Sequence, residues 1–196
     1  MQRRHVVAAA IVVFGAAAAW ILFVGMPRWS LARQAPPAAA AGPATASPTA
    51  EVRKITATLY YVGDDGMALV PARREVPFGA TVAEQARAII EAQLAAPPPP
   101  LVSAVPAGTK LREVFVTERG DAFVDLSSDV TGNHPGGSLD EILTVYTLVN
   151  ALTVSLPAVT RVQILVDGKE VDTLAGHVDL RHPLSKNMEW VVHDTQ

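Results

Sequence analysis

The apolar and polar positions divide the chain into an unbroken apolar run near the N-terminus, a stretch without pattern, and a body of strand-like and helix-like segments. Residues 6–25 carry no charge and are rich in Ala, Val and Ile. A helix of that length crosses the ~30 Å hydrocarbon core of a bilayer, so the run predicts a transmembrane helix. At 52–62 (VRKITATLYYV), Ile55, Ala57, Leu59 and Tyr61 alternate with Thr56, Thr58 and Tyr60, as in a half-buried strand. Gly63-Asp64-Asp65-Gly66 supplies a turn and 67–76 a second apolar run, which together predict a hairpin. Pro71 assigns the second strand to a sheet edge, where a missing N–H costs little.

Thr81-Val82-Ala83-Glu84 has the capping-box spacing, and a helix is expected from there to the prolines at 97–100. Val82, Ala86, Ile89, Ile90 and Leu94 form its packing stripe, with Glu84, Gln85, Arg87, Glu91 and Gln93 on the polar face. Strands at 110–117 and 122–126 flank Glu118-Arg119-Gly120-Asp121, where Gly120 is expected in the left-handed conformation of a tight turn. Ser138 and Glu141 make a second capping-box pattern before a helix reaching about Ser155. Apolar residues wrap more than half of that helix, including Leu143, Val145, Leu148, Val149 and Leu152, so it is expected to be the buried central helix. A strand at 160–166, the turn Asp167-Gly168 and a strand at 169–173 complete the order β-β-α-β-β-α-β-β. The expectation is an α+β fold with two helices packed on one face of a mostly antiparallel sheet, because most adjacent strands are joined by short turns.

Composition sharpens the division. Residues 1–5 read as a cytoplasmic N-terminus, 6–25 as the signal-anchor, 26–51 as a Pro/Ala-rich linker, 52–184 as the globular domain and 185–196 as a tail. Within the linker, QAPPAAAAGPATASPTA at 34–50 has no aromatic or large aliphatic side chain with which to build a core, and its prolines favour an extended spacer. The first fifty residues hold four Arg and no acid, leaving 12 Lys/Arg against 19 Asp/Glu in the remainder. Arg3 and Arg4 ahead of the apolar run place the N-terminus in the cytoplasm and the body outside it, on a single-pass anchor in the cytoplasmic membrane. The Trp20–Val24 block is too apolar for a signal-peptidase region, so the anchor is expected to be retained; Ser30-Leu31-Ala32 is the alternative, a late cleavage site.

An acidic body without a basic cluster argues against a nucleic-acid partner. The chain has no Cys, which removes disulfides, thiol nucleophiles, cysteinyl zinc sites and an acylated lipoprotein cysteine. Gly136-Gly137 lacks the spaced glycines and the Lys of a phosphate loop. His177 and His182 are five apart and miss the i,i+4 geometry of a helical metal site, so neither metal nor cofactor is expected. Asp125, Ser127, Ser128 and Asp129 crowd oxygen ligands together, but a strand end with local turns accounts for them. Ser138 reads as a helix cap and not as a nucleophile. Asn150, a polar residue inside the apolar helix, is expected either to be hydrogen-bonded in the core or to contact a partner. No catalytic residue is assigned; Asp125, Asn150 and His177 stand as candidate interaction residues.

Several blocks in order resemble the GerMN domain family, the GerM-type sporulation and spore germination family of bacterial envelope proteins. They are Ala68-Leu69-Val70-Pro71 with Arg74-Glu75-Val76, Ser103-Ala104-Val105-Pro106-Ala107-Gly108-Thr109, Ala122-Phe123-Val124-Asp125-Leu126-Ser127, and Gly136-Gly137-Ser138 leading into Leu148-Val149-Asn150-Ala151-Leu152-Thr153. Val162-Gln163-Ile164-Leu165-Val166-Asp167-Gly168 and Thr173-Leu174-Ala175-Gly176-His177-Val178-Asp179 complete the set, which spans about residues 55–182. The resemblance implies an exported, membrane-tethered domain without known catalytic residues, serving as an envelope scaffold or adaptor that associates with peptidoglycan or a membrane complex. It does not imply sporulation, and the missing cysteine sets the anchoring of this chain apart from that of a lipoprotein.

The expected function is therefore a non-enzymatic, membrane-anchored adaptor of the cell envelope, with homo-oligomerisation left open. Two rivals remain: a peptidoglycan-acting enzyme or enzyme accessory, for which Asp125 and Asp129 are the only nameable carboxylates, and a sensor binding a small ligand beside the central helix.

Overall fold

The computed structural model describes residues 53–192; the expected N-terminus, membrane helix and linker lie outside the described residues, as do the last four. Strands β1 (Lys54–Val62) and β2 (Leu69–Pro77) form the expected antiparallel hairpin, in register Tyr61↔Val70 and Tyr60↔Pro71. Both backbone groups of Tyr60 bond elsewhere, so Tyr60↔Pro71 is a non-hydrogen-bonded pair and the proline nitrogen faces the outer edge. Helix α1 (Val82–Leu94) starts at the predicted capping box: Glu84 N donates to Thr81 Oγ1 at 3.1 Å, and Thr81 N donates to the Glu84 carboxylate at 3.1 Å.

There follow β3 (Leu111–Val116), β4 (Asp121–Leu126), the single turn α2 (Asp129–Gly132), the long helix α3 (Ser138–Ser155), and strands β5 (Arg161–Val166), β6 (Lys169–Glu170) and β7 (Leu184–Ser185). Gly120 takes a φ of 83°, as its turn requires, and Asp167 and Gly168 both have positive φ, 49° and 75°, the signature of a two-residue hairpin turn.

The pairing is mostly antiparallel as expected, but the expectation of a single sheet is corrected. Among the described residues there are two sheets: β1–β2 alone, and β3-β4-β5-β6 with β7 sharing the outer edge of β5. In the larger sheet β4 and β5 run parallel, in register Val124↔Ile164, because the segment between them is a crossover carrying α2 and α3 rather than a tight turn. The element order also gains α2 and β7, giving three helices among the described residues.

The hairpin remains a separate sheet because the free edge of β1 is already occupied. Thr58 exchanges both backbone bonds with Ser155 Oγ (2.9 and 3.2 Å), and Tyr60 exchanges both with the Gln93 amide (2.9 and 2.7 Å). Val62 exchanges both with the backbone of Val102 (2.8 and 3.2 Å). Two side chains and one short bridge thus satisfy donors and acceptors that would otherwise recruit another strand.

Helix α3 packs against β1, β5 and β7, and α1 packs against β3 and α3. The core between them is built from Val114, Val124, Leu126, Val162 and Ile164 of the sheet with Leu143, Leu148 and Leu152 of α3, all buried. In α1 the packing stripe holds at Ala86, Ile89 and Ile90, but Val82 is 41% exposed while Gln85 and Gln93 are buried. Their amides explain the exchange. Gln85 accepts from Gly79 N (2.8 Å) and donates to Pro77 O (3.0 Å), so both glutamines bind backbone at or beyond the hairpin and are pulled off the solvent face.

After Leu184 the chain continues along the domain. Asn187 exchanges backbone bonds with the Asn150 side chain, and Leu69 accepts from Val192 N (2.8 Å) and donates to Trp190 O (2.7 Å).

Candidate functional site

The polar residues singled out in the sequence hold backbone in place. Asn150 is fully buried; its Nδ2 donates to Asn187 O at 2.6 Å and its Oδ1 accepts from Asn187 N at 3.0 Å. Asp125, buried, accepts from Gly168 N (2.7 Å) and from Arg112 Nε (3.1 Å), and Arg112 also reaches Asp167 at 3.4 Å. This arrangement ties the β5–β6 turn to a bulge in β3, where Leu111 opposes Leu126 and Glu113 opposes Asp125, leaving Arg112 as the extra residue. Asp129 instead accepts from Ser127 Oγ (2.8 Å), so the two carboxylates serve different local bonds.

His177 and Glu141 meet. Glu141 is fully buried, and its carboxylate accepts from Leu174 N (2.8 Å), Ala175 N (2.9 Å) and His177 N (2.7 Å), with His177 Nδ1 at 3.2 Å. Burial pushes this carboxyl up, yet the N–H groups of Ala175, His177 and Leu174 together outweigh that effect and hold it below the ordinary value of 4.5. The second capping box is therefore corrected. The N-cap is Gly137, no side chain caps the helix, and Ser138 is its first residue. Gly136 and Gly137, at φ of 86° and 87°, set the turn one residue earlier than a Ser138 cap needs, and Glu141 is engaged by residues 174–177. His134 accepts from Gly136 N through Nδ1 (3.0 Å), and its Nε2 lies 3.3 Å from Thr144 Oγ1, whose hydroxyl donates to Ala104 O (2.6 Å). His182 stands exposed.

Elsewhere on this domain lies a groove of about 510 Å³ that none of Asp125, Asn150 and His177 lines. Its walls are the C-terminal end of α1 (Leu94, Ala95, Ala96), the loop 102–109, Val62 at the end of β1, and Asp140 with Leu143 at the start of α3. The Val62–Val102 bridge fixes one side, and the Thr144 hydroxyl on Ala104 O pins the loop to α3. Ser103 and Thr109, the hydroxyl residues of the loop, are turned inward onto Val105 O and Pro106 O. What faces the groove is thus mainly apolar side chain and backbone, with Asp140 as its charged lining residue. The sequence allows a ligand pocket beside the central helix but marks its lining only by an apolar loop, Leu101 to Pro106, placed between a proline run and a strand.

Comparison with a solved structure agrees with the architecture. A structure of the tandem GerMN domains of the sporulation protein GerM from Bacillus subtilis is 19% identical, with a TM-score of 0.53 over 68% of this chain and 46% of that one. The first GerMN domain of the same protein is 18% identical (TM-score 0.49, 68% of this chain and 96% of that one). A Clostridium perfringens protein described as a candidate lipoprotein is 23% identical (TM-score 0.49, 68% and 88%). No curated protein matches the sequence. At 19% identity the likeness to the tandem domains is one of fold, and this chain spans about half of that structure. The family model described as "Germane: Sporulation and spore germination" matches residues 58–172, more than half of the chain, and the chain therefore belongs to that family.

Proposed function

We propose that this protein is a non-enzymatic adaptor of the cell envelope: a Germane domain held outside the cytoplasmic membrane by the apolar segment at 6–25 and recognising another envelope component through its surface. Family membership supports the envelope setting, and the Arg3/Arg4 bias supports the sidedness. The observation that carries the adaptor reading is the employment of the buried polar side chains. Buried Gln85, Gln93, Glu141 and Asn150 and half-buried Ser155 each bind backbone, and buried Asp125 and half-buried Asp129 serve separate local bonds, so these groups are committed to holding the fold. Recognition then falls to exposed surface.

The test uses the detergent-solubilised full chain. Incubated with purified peptidoglycan, with and without divalent metal, it should release no muropeptides by chromatography. Pull-down from crosslinked envelopes should recover a defined protein set. Release that vanishes on Asp125→Asn would establish the rival peptidoglycan-acting enzyme. The groove favours one other reading, a small-ligand sensor, since its volume lies within the ~300–1,000 Å³ of ligand pockets.

A further inference from the structure

We propose that the groove between the C-terminal end of α1, the loop 102–109 and the start of α3 is the docking site for an extended, apolar segment of a partner protein that carries a Lys or Arg. This rests on the adaptor reading and names the chemistry of its partner. The walls are made of Leu94, Ala96, Val102, Val105 and Leu143, and Val102 is 58% exposed on a loop bridged to β1, so the apolar surface is presented by a fixed frame. Small side chains on the wall, Ala95, Ala96, Ala104 and Ala107, let another backbone approach closely.

The electrostatics select the sign of the occupant. None of the lining residues is Lys or Arg, and Asp140 makes no ion pair among the described residues. The groove also receives the C-terminal end of α1, whose last carbonyls lack intrahelical partners and whose last turn holds no basic residue to offset them. Asp64 and Asp65, next to the lining residue Gly66, are likewise without an ion pair among the described residues, as is Lys110 next to the lining residue Thr109, so acids outnumber the base around the groove. Asp140 lies in the first turn of α3, whose N-terminal N–H groups offset part of its charge, and together with the C-terminal end of α1 and the neighbouring acids it complements an ammonium or guanidinium whose aliphatic stem lies along the wall. An acidic or phosphorylated segment would meet repulsion in the same place.

The experiment titrates the detergent-solubilised full chain with fluorescent eight-residue peptides of Leu, Val and Ala containing one central Lys, Arg or Glu. Lys and Arg peptides should bind at least tenfold more tightly than their Glu counterparts. Ala96→Gln, which fills the groove without adding charge, and Asp140→Asn should each weaken them at least fivefold, whereas Glu170→Gln on β6 should not. Equal binding of Lys and Glu peptides, indifference to both groove variants, or equally tight binding of a free diamine would overturn the proposal. In the envelope pull-down, capture of the same proteins by wild type and Ala96→Gln would leave the adaptor reading standing and sink the groove. A wild type that captures nothing would sink the adaptor reading, while the peptide titration still decides the groove.

Discussion

The side-chain amide of Gln93 serves Tyr60 as a neighbouring strand would, accepting from its N–H at 2.9 Å and donating to its C=O at 2.7 Å. Asn150 repeats the device on Asn187, and Ser155 does so on Thr58 with one hydroxyl. Helices α1 and α3 thereby hold strand and tail segments through their side chains as well as through their apolar faces.

Gln93→Leu keeps the volume and removes the bonds. Tyr60 N–H would be left buried without a partner, and Tyr60 O would keep only the Thr147 hydroxyl at 3.3 Å. The expected loss is about 1–3 kcal/mol, the usual cost of an orphaned buried group. Glu91→Ala, on the exposed side of the same helix, should stay within about 0.5 kcal/mol, because its ion pair with Arg87 is long and solvent-exposed. Urea titration of both variants checks the contrast, and equal effects would contradict the clamp.

Gln93 also shows where the sequence stops being informative. A binary pattern sends every glutamine to solvent, and only the unfilled edge of β1, a tertiary feature, reveals why this one is inside. The hairpins were legible because their turn chemistry is local, as at Gly120 and Asp167-Gly168, and so was the Thr81–Glu84 cap. The parallel pairing of β4 with β5 was not, since it joins strands separated by two helices and leaves no mark on either strand's own pattern. Asp125, Asn150 and His177 were visible as unusual residues, but their spacing could not tell a backbone clamp from a contact site.

Leu148 lies at the centre of α3 with no exposed surface. Truncation to Ala should cost about 2–5 kcal/mol through lost burial and the cavity left behind. Ser138→Ala should change stability by no more than about 0.5 kcal/mol, because Ser138 is exposed and caps nothing. A loss near the ~1 kcal/mol typical of a removed N-cap would contradict the Gly137 cap.

Glu141 should make stability fall in acid. Its folded-state pKa is depressed below 4.5, so its contribution is complete above the unfolded value and is lost as pH falls through the folded value. Glu141→Gln puts an NH₂ among N–H donors and should cost about 1–3 kcal/mol at pH 7. The gap between wild type and variant should narrow progressively below pH 4.5. Urea midpoints at neutral pH and at successively lower pH values measure it, and a gap independent of pH would show that the carboxylate charge is not what orders residues 174–177.

Asp125 clasps the β5–β6 turn from below, through Gly168 N, and the β3 bulge from the side, through Arg112. Asp125→Ala would free both partners, but Arg112 and Gly168 are exposed enough for water to replace the lost bonds. The expected result is local: a stability loss of about 1 kcal/mol, the size of an ordinary net hydrogen bond, with faster amide exchange at Gly168 and its neighbours while α3 stays protected. Exchange measured by mass spectrometry on overlapping peptides separates the cases. Uniform acceleration across α3 would mean that Asp125 supports the whole core, whereas unchanged exchange at 167–170 would mean that the turn residues hold their own geometry without it.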